Sequence, residues 1–301
     1  MTIPYKTVQA FIATNLVLQS INTLLNGFLF LVMIRSKQSL QTRMDRIVAT
    51  TLATHCAYSF FQLLFDIKIL VGYRGFPYIV LGLIYTFNSW FVFSLFGLNL
   101  ALGLDRLWSV KYSELSERQT QKYFLVIALA CVAVATIDAP IHLSPSTQVE
   151  DYSYLWAVGT SIFTWGVVLS IVWVYSSTYL YVRTRLEAST GIPDVHIKLR
   201  RVFFSCFMYT AVFLLCYFPT LITRSVLFLR NESAYEKTWY YYTLPLLVSF
   251  DSTATPLMII YFRQDIRQEC IKNFWQMEHD VITEDKENGA KYFNPDGSIV
   301  P

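Results

Sequence analysis

Two adjacent residues, Asp105 and Arg106, carry the most pointed chemistry in this chain. They close an apolar run from Tyr78 to Leu104 that holds no charged residue. Burying either charge in lipid costs about 2.5–3.5 kcal/mol on insertion scales, so the pair belongs where a membrane-spanning helix meets water. There Arg106 can act as a latch, holding Asp105 in one state and turning to a partner in another. The plainer reading is a positive anchor at the membrane face. The other reactive residues do not assemble into a catalytic pattern. His55, His142, His196 and His279 are scattered, and no metal-ligand spacing, serine elbow or phosphate loop occurs. An enzyme is therefore not expected, and neither a metal nor a cofactor is called for. Of the five cysteines, Cys56, Cys131, Cys206 and Cys216 fall within apolar segments and Cys270 follows the last, so no outside disulfide is evident.

The elements that must position Asp105 and Arg106 follow from composition. The 301 residues are 54% hydrophobic and 15% charged, against about 25% charged in soluble domains. Mean hydropathy is +0.40, as in a membrane protein. A helical span needs about 20 apolar residues, and the chain accommodates seven: about 8–34, 44–70, 78–108, 122–143, 152–182, 202–229 and 239–262. The expected fold is an all-α seven-transmembrane helix bundle. Residues 263–275 read as a short amphipathic helix on the inner surface, and the acidic tail 276–301 as disordered. Only six of the 24 Lys and Arg residues (Lys6, Lys68, Arg74, Arg224, Arg230, Lys237) fall outside if the N-terminus is outside, which sets the orientation. Asp66, Lys68, Arg74 and Pro77 then mark a short outside loop, and Arg183 to Arg201 an inside loop broken by Gly191 and Pro193. No cleavable signal peptide is expected.

Within the spans, Asn15, Asn22 and Asn26 lie near one helix face and should bond neighbouring helices. His55 reads as a buried neutral histidine bonded to a neighbour. Asp251 is the one clear mid-depth acid, thin support for a transporter. Pro219 should kink the sixth span and Pro256 lies late in the seventh. Asn231-Glu232-Ser233 is an N-glycosylation acceptor in an outside loop.

Seven spans, Asp105-Arg106 closing the third, Cys216-x-x-Pro219 in the sixth, Pro256 in the seventh, Asn26 in the first and a Phe262-Arg263 helix start resemble a rhodopsin-like G-protein-coupled receptor. The size, short loops and aromatic-rich spans are most similar to the nematode serpentine chemoreceptors, over about residues 8 to 275. The chain departs from the family pattern at Leu107, Tyr217, Thr255 and Tyr261. No lysine lies in the seventh span, as a light-sensing opsin would need, and no acid lies in the middle of the second. The resemblance implies a plasma-membrane receptor, in sensory-neuron cilia, that couples a small ligand to a heterotrimeric G protein. A small, mostly apolar ligand would meet Asn88, Phe91, Tyr217, Phe218 and Asp251, with Asp138 a further candidate. The switch would comprise Asp105, Arg106, Pro219 and Pro256, with Lys198, Arg200 and Arg201 on the G-protein face. The alternative is a ligand-gated channel or small-solute transporter. Membrane lipids are expected partners; nucleic acid is not.

Overall fold

The computed structural model describes residues 5–35, 42–71, 77–111, 126, 129–130, 133, 150–188, 193–229 and 239–272. They form α1 (Tyr5–Arg35), α2 (Arg43–Val71), α3 (Tyr78–Lys111), α4 (Glu150–Ala188), α5 (Pro193–Leu229) and α6 (Trp239–Phe262), then α7 (264–272). Among the described residues there is no strand. Five helices, α1 to α4 and α6, are long and apolar enough to cross a membrane, and α5 carries a shorter apolar stretch, Phe207–Thr223. Of the expected span over 122–143 only residues 126, 129–130 and 133 are described, and the tail 276–301 lies outside the described residues.

The burial pattern is that of a protein embedded in lipid. Leu24, Leu215, Ile162 and Trp173 are exposed, whereas Gln19, Asn22, Asn26, His55 and Ser252 are fully buried. A membrane gives apolar side chains no reason to hide and polar ones every reason to find partners inside. The helices close a ring in which each of α1 to α5 packs against the next, α6 packs against α1, and α2 also touches α6.

Local signals set the helix ends. Thr42 and Asp45 form a capping box at the start of α2: Thr42 N–H donates to Asp45 Oδ2 at 3.0 Å, and Asp45 N–H donates to Thr42 Oγ1 at 3.2 Å. Pro193 begins α5 instead of breaking a loop, because the first helical position needs no N–H bond. With α4 running to Ala188, the inside loop expected over Arg183–Arg201 shrinks to residues 189–192. Asp66 and Lys68, assigned from sequence to an outside loop, lie buried within α2. Asp66 can remain in the helix because amides from two helices bond its carboxylate.

Pro256 shows how the bundle repairs its own helix breaks. A proline there removes the bond to the Ser252 carbonyl. Asn26 Nδ2 donates to that carbonyl instead, at 2.8 Å. Gly103 permits a close approach of α3 to α4. A Cβ built on it would stand 3.0 Å from Tyr175 Cε2 and 3.1 Å from Val174 Cγ1 of α4.

Candidate functional site

The interior polar groups form three tiers along the bundle. At the end of the ring where α2 begins, Asp105 is ion-paired to Arg43 of α2. Arg106 turns to α5, donating to Ser205 Oγ and lying over the Tyr209 ring at 4.9 Å. The sequence reading of a latch between Asp105 and Arg106 is corrected here, and the reason is geometric. Neighbouring helical residues diverge by about 100°, so i and i+1 do not face one another. Each member of the pair therefore addresses a different helix. Arg106 is only 8% exposed, which also sets it apart from an anchor standing in water.

Beside these residues, Arg263 binds Asp45 Oδ1 at 2.6 Å and Asp265 Oδ2 at 2.6 Å. It joins the start of α2 to the junction of α6 and α7. Its carboxylate partners hold the guanidinium above its usual range, and Arg263 in turn holds the Asp265 carboxyl below the usual range. Ile266 is fully buried against the bundle, whereas Ile271 is exposed, so only part of the apolar side expected of this helix faces the core.

The middle tier joins α2, α5 and α6. Asp251 accepts from Tyr217 O–H at 2.8 Å and from Thr255 O–H at 3.2 Å. His55 Nδ1 lies 3.0 Å from Ser252 Oγ, and its Nε2 lies 3.9 Å from Asp251 Oδ2. Tyr217 also packs on Phe96 of α3, with centroids 4.9 Å apart. Asn22 links α1 to the same helix, donating to Ser249 O at 2.9 Å and accepting from Thr253 O–H at 2.7 Å.

The upper tier centres on Asp66. It accepts from Asn15 Nδ2 at 2.6 Å and from Gln62 Nε2 at 3.3 Å, and Asn88 Nδ2 donates to Gln62 Oε1 at 2.6 Å. Ser249 joins this tier to α6, donating to Asn15 Oδ1 at 2.8 Å and accepting from Gln19.

The five candidate ligand-contact residues therefore do not form one cluster. Tyr217 and Asp251 are bonded to each other, but Asn88 faces α2 through Gln62. Phe91 packs on Phe61 with centroids 5.5 Å apart. Phe218 is 39% exposed and stands edge-on to Trp165 of α4 at 5.6 Å. Pro219 is exposed on α5 and Pro256 buried on α6. Arg200 is exposed on α5; Lys198 and Arg201 lie on the same helix, their side chains outside the described ones. Asp138 and Asn231 lie outside the described residues altogether. Sequence reasoning passed over Gln62, Arg43, Ser205 and Tyr209. Each becomes relevant only through a partner on another helix, for which spacing along the chain holds no signal.

Among the described residues no group of three His, Cys, Asp or Glu side chains could hold a metal ion. Cys56, Cys216 and Cys270 are free thiols. Compared with models of known families and with curated proteins, the chain matches none.

Proposed function

We propose that this protein is a seven-span chemosensory receptor that couples a small ligand to a heterotrimeric G protein. In this reading it lies in the plasma membrane with its N-terminus outside. The observation that carries the reading is the buried Arg106 at the end of α3, tied to Ser205 and Tyr209 of α5. A guanidinium offers five donors in a fixed fork, so it can exchange a hydroxyl and an aromatic face for the backbone carbonyls of a docked helix. Its partners lie on the helix that carries Pro219, where a missing backbone bond provides a hinge. A ligand need only bind one arrangement of α5 more tightly than the other to shift the population. The Asp251–Tyr217 bond, joining α6 to α5 above the arginine, is where such a preference would be registered.

The test is G-protein activation in cells exposed to a panel of small apolar odorants, with surface expression measured in parallel. Arg106→Ala should reach the surface and fail to signal, and Arg106→Lys should signal poorly. Full signalling by both at normal expression would leave the reading without its main support.

A second reading, a channel or transporter, is favoured by one observation. Asp66, Lys68, His55 and Asp251 are all buried along the bundle, and ionisable groups at such depth often mark ion or proton paths. A ligand-evoked current in cells lacking G proteins would favour it.

A further inference from the structure

His55 is fully buried and its Nε2 has no hydrogen-bond partner among the described residues. It faces Asp251 Oδ2 at 3.9 Å, beyond hydrogen-bond reach. That same oxygen accepts the Tyr217 hydroxyl at 2.8 Å. One carboxylate oxygen thus stands between two suitors on different helices, His55 on α2 and Tyr217 on α5, and one of them is engaged.

We propose that His55 and Asp251 form a proton-binding site whose occupancy decides whether α6 is tied to α5 or to α2. With His55 neutral, Tyr217 is the donor engaged at Asp251 Oδ2, and a hydroxyl bond to a carboxylate is among the stronger hydrogen bonds in proteins. With His55 protonated, Nε2–H closes the gap onto Oδ2. The imidazolium neutralises the carboxylate, and Tyr217 keeps only an ordinary bond to a compensated acceptor. Ser252 holds the ring in place through Nδ1 in both states, since a hydroxyl can accept from or donate to that nitrogen.

The surroundings suit such an exchange. Among the described residues, the titratable groups facing Asp251 are Tyr58 of α2 and Cys216 and Tyr217 of α5, beside His55 itself. Asp66 faces Tyr58 from a higher turn of α2. From α1 come the neutral amides Asn22 and Asn26, and from α3 the ring of Phe96. No lysine or arginine described in this tier competes for the carboxylate. Tyr217 lies two residues before Pro219, so the tie that would loosen acts next to the helix break in α5.

The experiment needs no receptor activity. In purified protein in lipid nanodiscs, with reactive cysteines replaced, spin labels at the exposed positions Arg200 and Gln268 report the separation of α5 from the α6–α7 junction. Histidine is the side chain whose ordinary titration lies nearest neutral pH, so the population of the loosened label distance should grow at the expense of the tied one as the pH is lowered. His55→Gln should hold the tied distance at every pH, and Tyr217→Phe the loosened one. An unchanged distance distribution in the wild type, or a pH step that survives undiminished in His55→Gln, would overturn the proposal. If His55→Gln cannot be recovered folded, a full step in Tyr217→Phe overturns it equally.

Discussion

The α3–α4 contact at Gly103 lends itself to a sharp comparison of two glycines. Gly103 and Gly166 both lie within helices, so replacing either by alanine adds the same helix preference, worth about 0.5–1 kcal/mol. Their surroundings differ. A Cβ on Gly166 meets nothing within 4 Å, whereas one on Gly103 comes 3.0 Å from Tyr175 Cε2, 3.1 Å from Val174 Cγ1 and 3.3 Å from Tyr175 Cζ. Val174 and Tyr175 are 2% and 3% exposed, so neither can swing out into lipid to make room. Overpacking of this kind costs about 1–3 kcal/mol. Because the helix term cancels between the variants, Gly103→Ala should be less stable than Gly166→Ala by that full amount. Unfolding by SDS titration in mixed micelles measures the difference. Val174→Ala removes one of the two obstructing side chains and should recover part of the loss in the double variant, since touching residues do not act additively. Equal stabilities for the two single variants, within about 0.5 kcal/mol, would refute the close approach, because that is the scatter of independent sites.

The remaining predictions concern the polar ties. Asn22→Leu removes bonds to Ser249 O and Thr253; it should cost about 0.6–1.7 kcal/mol in the same titration, the range for interhelical bonds in membranes. Arg263→Met strands the Asp45 carboxylate, whose side chain is 4% exposed. Since Arg263 itself is partly exposed and Thr42 still bonds Asp45, the loss should be about 2 kcal/mol, below the 3–5 of a fully buried pair, with faster amide exchange in α7. Asp265 is held below the ordinary value of 3.8 by Arg263. Its contribution is therefore complete above that pH and lost as pH falls through the lowered folded value; exchange in α7 should rise only in strong acid, and Asp265→Asn should abolish that step. Ser205→Ala and Tyr209→Leu should each raise basal G-protein activation, whereas Asp105→Asn, which releases Arg43, should weaken α2–α3 packing without that rise.

Much of this bundle is legible in the chain because lipid imposes one rule on every helix. Apolar runs longer than a bilayer is thick placed α1, α2, α3 and α6 to within a few residues. The seventh span at 239–262 coincides with α6. The boundaries that differed belong to charged or proline-containing stretches. Asp66 and Lys68 were read as loop because a charge is costly in lipid, but that cost applies to the lipid side of a helix, and both residues lie inside. Pro193 was read as a breaker because helix interiors reject proline, yet it occupies a first turn, where proline is welcome. The Asn15-Asn22-Asn26 face announced helix contacts correctly, since its spacing is a property of one helix. Asn26 on the carbonyl freed by Pro256 was not readable, because the two residues are 230 positions apart and meet only in the folded ring.

The same distinction decides how the Asp105-Arg106 dipeptide works. Adjacent in sequence, the two side chains look like one device. On a helix they point about 100° apart, so the dipeptide is better understood as two separate clamps on one turn of α3. Arg43 holds Asp105 toward α2, which begins with a capping box and is braced by Arg263 through Asp45. Arg106 reaches α5, where Ser205 and Tyr209 are its neutral partners. Asp105 is thus held by an ion pair to α2, and Arg106 by a hydroxyl and an aromatic face on α5. In the proposed reading the α2–α3 joint would be the fixed one and the Arg106 contact with α5 the one that changes. In the receptor reading proposed above, a movement of α5 about Pro219 would act on Arg106 and leave the Arg43–Asp105 pair in place, so one short sequence would serve two different helices.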